Sequence, residues 1–185
     1  MDAPASSSLV SRLKSGDAGA FDAVYRQHHP NLYSFLWRLT RRPEIAAELC
    51  QETWLRLAAE AAWLNDDTHL TAWLFTVARN LFLSHQRWSL LDGSRVAEAT
   101  LWSSKRQEEN TPETEAMASQ SQRRAEAALG ALPVKYREAL LLVSVEHFEP
   151  SEAAKIIGVS PEAFRQRLSR ARDQLRTALD SGETK

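Results

Sequence analysis

A helix stop signal and a helix start signal lie three positions apart in this chain, at Gly158 and Pro161. Glycine readily adopts the left-handed backbone that ends a helix, and proline fits the first helical position, where no amide donor is needed. Between them, Ser160 can cap the following helix through its hydroxyl. The sequence therefore predicts two helices joined by a tight turn.

The helix after this turn has two distinct faces. Its apolar residues recur at spacings of three and four and form one stripe: Phe164, Leu168, Ala171, Leu175 and Leu179. The opposite face carries Arg165, Gln166, Ser169, Arg170 and Arg176. Arginine and glutamine can pair bidentately with guanine and adenine edges in a major groove, so this face favours DNA reading. A solvated amphipathic helix would show the same charges, and the turn before it makes that alternative weaker.

The segment before the turn completes a DNA-binding motif. Residues 150–157 form a short predicted helix, opened by Pro150 or Ser151, and its packing residues are Ala153, Ala154, Ile156 and Ile157. Two helices joined by a short turn that contains glycine describe a helix-turn-helix.

The amino-acid composition of the 185-residue chain is that of a globular protein, with 43% apolar and 25% charged residues. No apolar run approaches the ~20 residues that span a bilayer, and the first residues lack the pattern of a secretory signal, so we expect a cytoplasmic protein without membrane insertion. The single cysteine, Cys50, is expected to pack in a core. The histidines form no pair at ligand spacing beside a carboxylate, so we expect no metal site. We also expect no small-molecule cofactor, since the sequence has no phosphate-cradling glycine loop.

Helical spacing dominates the chain outside residues 93–121, and runs of beta-branched residues are missing. We predict an all-α fold of two small helical domains, residues 1–92 and 122–185, joined by a flexible linker rich in Ser, Thr and Glu. In the first domain the predicted helices cover residues 19–39 with a break near Pro30, 43–63 and 71–88. In the second they cover 123–132 and 134–145, followed by the helix-turn-helix.

The helix at residues 43–63 has an unusual outer face. Glu48, Gln51, Glu52 and Leu55 share it, while the opposite side carries small and apolar residues. A leucine within an acidic and amide patch suits a protein partner with basic and apolar groups. Taken alone, a solvated acidic face with one stray leucine is the better explanation of the pattern, and only the rest of the chain favours the partner surface.

The order of these motifs resembles that of bacterial extracytoplasmic-function (ECF) sigma factors, small two-domain members of the sigma-70 family. The resemblance rests on AAELCQETWLRL, TAWLFTVARNLFLSHQRW, a variable acidic linker, LPVKYREALLL and SEAAKIIGVSPEAFRQRLSRAR, and it covers nearly the whole chain. It implies a region 2 domain and a region 4 domain that engage the −10 and −35 promoter elements while bound to core RNA polymerase. It also implies contacts with the beta-prime clamp helices and the beta flap, and an anti-sigma factor as a further partner.

The resemblance assigns roles to residues in the first domain. The polymerase-binding helix would present Glu48, Leu49, Gln51, Glu52 and Leu55. The −10 element would meet a polar loop that receives a flipped base, and a strand path along the next helix: Asn65, Asp66, Asp67, Thr68, His69, Arg79, Asn80, His85 and Arg87. Phe75, Phe82 and Trp88 could stack on bases, although core packing is the better expectation for each.

In the second domain the resemblance places −35 recognition on Lys155, Ser160, Arg165, Gln166, Ser169 and Arg170. Lys155 and Arg137 would grip flanking phosphates. The chain departs from the family pattern at residues 147–149, at 162–164, and at Glu48, where aspartate is usual. Glu162 near the groove would repel phosphate or accept from a cytosine amino group, so the promoter sequence cannot be read from the chain.

We therefore expect a transcription initiation factor with no catalysis of its own. The alternative is a stand-alone regulator that binds an operator as a dimer through its helix-turn-helix, although no sustained heptad offers a dimer surface. An enzyme is a distant third possibility, since no nucleophile, base and orienting group occur at meaningful spacing.

Overall fold

The computed structural model describes residues 3–91 and 120–181. Within these ranges the chain is helical and contains no strand, as the sequence predicts. The predicted linker, residues 93–121, lies outside the described residues except for its last two positions. Those two belong to a helix that begins at Gln120, so the second domain starts slightly earlier than predicted.

Four helices and one short turn build the first domain: α1 (Ala3–Lys14), α2 (Ala18–Thr40), α3 (Pro43–Glu60) with a 3₁₀ turn (Ala61–Trp63), and α4 (Leu70–Leu91). Asp17 caps α2, because its carboxylate accepts from the backbone N–H groups of Gly19 at 2.8 Å and Ala20 at 3.2 Å. Pro43 opens α3 at a position where its missing N–H costs nothing.

The predicted break at Pro30 is wrong, because α2 continues through it. Proline inside a helix costs about 3 kcal/mol through the lost hydrogen bond and a clash with the preceding turn. The turns beyond Pro30 offset this cost by burying Leu32, Phe35, Leu36 and Leu39 almost completely. Pro30 and Arg26 are both exposed, so water can reach the Arg26 carbonyl, which has no N–H partner at Pro30.

The second domain contains α5 (Gln120–Ala131), α6 (Val134–Leu140), a π-helical turn (Leu141–Val145), α7 (Pro150–Ile157) and α8 (Pro161–Ser181). Glu149 and Glu152 form a capping box at the start of α7. The predicted turn is confirmed: Gly158 has a φ of 77° and ends α7, and the Ser160 hydroxyl accepts from the Ala163 N–H at 3.2 Å. These local bonds fix the angle at which α8 leaves α7.

The two domains pack against each other through one continuous apolar core. The ring of Phe75 from α4 lies between Phe35 of α2 and Phe148 of the second domain, with ring centroids 5.1 and 5.2 Å away and edge-on geometry. Arg38 of α2 also pairs with Glu126 of α5 at 2.8 Å. This packing decides which of the predicted contact residues reach the surface.

Candidate partner and nucleic-acid interfaces

The outer face of α3 is accessible as predicted. Leu55 is 56% exposed, and Gln51 and Glu48 lie exposed one and two turns before it. Glu52 is half-buried and pairs with Arg56 at 3.2 Å. Leu49, the remaining predicted contact, lies in the core, so its contribution to this face is to hold the helix in place.

The inner side of α3 is anchored to α2 by an aromatic cluster. The Trp54 indole donates to Nδ1 of His29 at 3.2 Å, and the Tyr25 ring contacts both, with centroids 4.5 Å from His29 and 4.9 Å from Trp54. Cys50 is buried beside them, and burial raises the pKa of its thiol to about 11. The prediction that Cys50 serves packing is confirmed, because a neutral buried thiol is a poor nucleophile.

The loop between α3 and α4 is braced at several points. Lys14 of α1 donates to Asp66 at 2.6 Å, and the Thr68 N–H donates to the Asn65 carbonyl at 3.0 Å. His69 Nδ1 accepts from the N–H of Ala72 at 3.3 Å and so caps α4. Asn65, Asp66, Asp67 and His69 are exposed and Thr68 is half-buried, so the loop presents the predicted residues to solvent.

A cleft of about 220 Å³ opens beside this loop, lined by Glu60, Trp63, Leu64, Asn65, Thr68 and Trp73. Trp63 lies outside the set of contact residues that the sequence predicts. The sequence feature that points to Trp63 is a large aromatic residue next to the turn-forming residues 64–69. A tryptophan in the core would give the same pattern.

Arg79 is not available to DNA in this arrangement. Its guanidinium donates to both carboxylate oxygens of Glu138 on α6, at 2.9 and 3.3 Å. Asn80 and Arg87 on the same helix are exposed, and His85 is half-buried. Of the α4 residues predicted to line the path of the displaced DNA strand, Asn80 and Arg87 are therefore accessible. Arg79 is covered by the second domain.

The three aromatic residues of α4 differ in their environment. Phe75 and Phe82 are buried, which confirms the expected core packing. For Trp88 that expectation is wrong, because its side chain is 72% exposed. Among the residues of α4 whose burial the structure describes, Phe82 is the last buried one, so the helix extends past this part of the core before it reaches Trp88.

The outer face of α8 presents Arg165, Gln166, Ser169 and Arg170, all exposed, while Phe164, Leu168 and Ala171 are buried. Glu162 accepts from Arg165 at 2.6 Å and from Gln166 at 3.4 Å. The hydrogen bond and charge of Arg165 hold the pKa of Glu162 below its usual value, so this carboxylate stays ionised at neutral pH. Glu162 therefore orients two of the predicted base-reading side chains.

Lys155 and Ser160 lie exposed near the start of this face, and Ser160 also serves as the helix cap. The predicted phosphate contact at Arg137 is wrong in this arrangement, because its side chain is buried. It donates to the carbonyl groups of Arg38 and Leu39 at 3.1 and 3.2 Å, and to those of Gly130 and Leu132 at 2.8 Å. Arg137 thus ties the end of α2 to the second domain.

Two further features are absent from the part of the chain that the structure describes. None of its helices is long and apolar enough to cross a bilayer. Among residues 3–91 and 120–181, no three His, Cys, Asp or Glu side chains come close enough to hold a metal ion.

Comparison with known proteins accounts for both domains. Residues 24–88 match the family model for sigma-70 region 2, and residues 122–175 match the model for sigma-70 region 4. The chain is 30% identical over 173 residues to the RNA polymerase sigma factor CarQ of Myxococcus xanthus, covering 92% of this chain and 95% of CarQ. It is 35% identical over 150 residues to the ECF sigma factor EcfG of Rhodopseudomonas palustris, covering 81% and 80%.

Two solved structures share the fold. CnrH in complex with the cytosolic domain of CnrY has a TM-score of 0.72 at 21% identity, over 96% of this chain and 98% of that one. The sigma factor RpoE of Bartonella quintana, solved with the anti-sigma factor NepR, has a TM-score of 0.70 at 28% identity, over 86% and 96%.

The chain therefore belongs to the ECF group of the sigma-70 family. It is a transcription initiation factor that binds core RNA polymerase and directs it to promoters, and nothing in these relatives supports the operator-binding dimer.

Proposed function

We propose that the outer face of α3 is the main polymerase-binding surface of this sigma factor. The observation that carries the proposal is Leu55, which is 56% exposed between acidic and amide side chains on a helix whose other side is anchored in the core. Removing this side chain from water against a basic and apolar partner surface gives a hot spot of the usual kind. Glu48 and Gln51 extend the surface toward the start of the helix.

Promoter recognition is divided between the domains. The loop residues Asn65, Asp66, Asp67, Thr68 and His69 and the α4 residues Asn80, His85 and Arg87 would contact the opened −10 element. The outer face of α8 would enter the major groove of the −35 element, with Arg165, Gln166, Ser169 and Arg170 at base edges and Lys155 and Ser160 beside them. The chain itself performs no catalysis, since polymerase supplies the chemistry.

The packed arrangement of the domains represents the free protein rather than the polymerase-bound one. Arg79 lies against Glu138, so it reaches the displaced strand only after the domains separate. Binding of α3 to the clamp helices and of the second domain to the beta flap would supply the free energy for that separation. An anti-sigma factor, the kind of partner named for the Bartonella quintana relative, would oppose it by covering the same surfaces. All these partners act in the cytoplasm.

The deciding experiment is transcription on genomic DNA by purified core polymerase with and without this protein, with transcript starts mapped by sequencing. We expect a small set of new starts that share −10 and −35 elements. Failure to bind core and to direct any new start would overturn the proposal. Replacing Arg165 and Arg170 by alanine should reduce −35-dependent starts, at ~1 to 3 kcal/mol for each lost bidentate contact.

A further inference from the structure

Glu146 of the second domain lies against α2 of the first domain. It follows the π-helical turn, and its N–H donates to the Leu141 carbonyl at 2.9 Å. The next residue, His147, has a φ of 58°, in the left-handed region, and the chain then places Phe148 in the core between the domains. Because the backbone is fixed on both sides of Glu146, its half-buried side chain is held at the contact between the domains.

The groups that face Glu146 from α2 are Asn31 and Arg38. Asn31 forms a hydrogen bond with the carboxyl group of Glu146, and Arg38 supplies a positive charge. Arg38 is also paired with Glu126 of α5, another acidic residue of the second domain, at 2.8 Å. The second carboxylate oxygen of Glu126, Oε2, is buried and has no hydrogen-bond partner within the described residues. Two carboxyl groups of the second domain therefore share the charge of Arg38.

Two further arginines at this contact bind backbone groups. Arg137 of α6 donates to several carbonyl groups, among them that of Arg38 at 3.1 Å, and Arg41 donates to the Glu126 carbonyl at 3.3 Å. Burial disfavours the charged form of a carboxyl group unless a nearby charge compensates fully. For Glu146 burial has the larger effect and raises its pKa from 4.5 to about 7, although Arg38 and the hydrogen bond with Asn31 oppose it.

Separation of the domains removes this environment. Asn31 and Arg38 stay with the first domain, whereas Glu146 leaves with the second domain and its carboxyl group becomes hydrated. The packed state therefore holds the proton more tightly than the separated state does. It follows from this linkage that the packing is strongest where Glu146 is protonated and weakens as Glu146 ionises.

We propose that Glu146 is a proton-sensitive switch between the packed and the separated arrangement of the two domains. Its neutral form keeps the domains together, and its ionised form favours their separation. A rise in pH through neutrality then eases the separation that polymerase binding requires, a consequence that rests on the proposed function.

The test is single-molecule energy transfer between two dyes on the free chain, measured from pH 6 to pH 8. The dyes are attached through Ser11→Cys and Gln174→Cys, at exposed positions on α1 and α8. Cys50 is buried, and burial raises the pKa of its thiol to about 11, so it stays unlabelled at neutral pH. We expect the ratio of separated to packed chains to rise about ten-fold between pH 6 and pH 8.

Glu146→Gln places a neutral polar group of similar size at the same position. In this variant the ratio of separated to packed chains should stay near the value that the native residue gives at pH 6. The comparison is repeated in an Arg79→Ala background, where loss of the ion pair with Glu138 makes separated chains more frequent and easier to count.

Two controls separate Glu146 from other titrating groups. Glu44→Gln removes an exposed carboxylate at the start of α3. Histidines change charge near neutral pH, so His147→Asn removes the histidine next to Glu146 and keeps a residue type that tolerates left-handed backbone. Both variants should keep the ten-fold change of the labelled native chain.

A ratio that does not change with pH in either background would overturn the inference, and so would an equal change in Glu146→Gln. The measurement contains no polymerase, so that result would leave the sigma-factor function standing. Conversely, a chain that directs no new transcript starts but shows the expected pH dependence would keep the switch and lose the proposed function.

Discussion

The carboxylate of Glu138 joins the two domains of the molecule through Arg79. Glu138 is only 3% exposed, and it accepts from Arg79 of α4 at 2.9 Å and from Arg167 of α8 at 3.1 Å. A buried carboxylate is tolerated only when paired, since removing a partner leaves a charge that has lost its hydration. One acidic residue therefore connects α4 with α8, the two helices that we propose contact the −10 and −35 elements.

Replacing Arg79 by alanine should weaken the packing between domains. We expect the variant to lose about 1 to 3 kcal/mol of stability, because Glu138 retains Arg167 but loses the partner that binds both its oxygens. Small-angle scattering should show a larger radius of gyration, and chemical denaturation should give the stability change. Arg87→Ala is the control, as it removes an exposed arginine from the same helix. Equal compactness and stability in the two variants would contradict the connecting role of Glu138.

The stability of the folded chain should fall as the pH rises through the weakly acidic range because of Glu146. Partial burial raises its pKa from 4.5 to about 7, although the charge of Arg38 and a hydrogen bond with Asn31 act in the opposite direction. The folded state thus holds this proton more tightly than the unfolded state. The contribution of Glu146 to the free energy of unfolding is therefore most favourable below pH 4.5, and it declines as the pH rises to about 7.

Glu146→Gln should remove this decline and be at least as stable as the native chain at pH 8. The measurement is the free energy of unfolding from urea titrations at several pH values between 5 and 8. Glu48→Gln removes an exposed carboxylate on α3 and serves as the control for the general effect of charge. Parallel pH profiles for the native chain and Glu146→Gln would exclude Glu146 as the cause.

The helix-turn-helix was predictable because its signals are local. Gly158 and Ser160 act on backbone groups within four residues of themselves, so their roles follow from residue type and spacing. The exposed position of Leu55 followed in the same way from the periodicity of α3. Such interactions do not depend on where the rest of the chain lies.

The contacts that Arg137 and Arg79 make in this arrangement could not be predicted, because their partners are distant in the sequence. Arg137 binds carbonyl groups at the end of α2, and Arg79 binds a carboxylate on α6. A basic residue on a predicted helix has the same local pattern whether it faces a phosphate or a buried acceptor. Pro30 shows the same limit, since the apolar burial beyond it overrides its local effect on the helix.

Replacing Leu55 by alanine should weaken binding to core polymerase about ten-fold without unfolding the domain. The expected loss is that of a central apolar contact, and the change in stability should stay within about 0.5 kcal/mol because the side chain already faces solvent. Affinity can be measured by competition with a labelled sigma factor. Val145→Ala truncates another exposed aliphatic side chain, on the second domain, and should bind nearly as the native chain does. Native affinity in Leu55→Ala would move the polymerase-binding surface elsewhere.

Replacing Glu162 by glutamine should make binding at the −35 element tighter but less selective. Glu162 holds Arg165 and Gln166 in place and adds a negative charge near the groove. Without that charge, Arg165 can swing to a phosphate, so the slope of log affinity against log salt should steepen by about one unit. Discrimination at the base pair that Arg165 reads should fall at the same time.

The matched control for this change is Asp173→Asn, which removes an exposed carboxylate that lies 3.7 Å from Arg176 further along α8. The measurement is holoenzyme affinity for a set of −35 variants at several salt concentrations. Both substitutions change the net charge equally, so a purely electrostatic effect would raise affinity in both and leave selectivity unchanged. Loss of selectivity in Glu162→Gln alone would show that this carboxylate orients the reading side chains, whereas equal selectivity in the two variants would exclude that role.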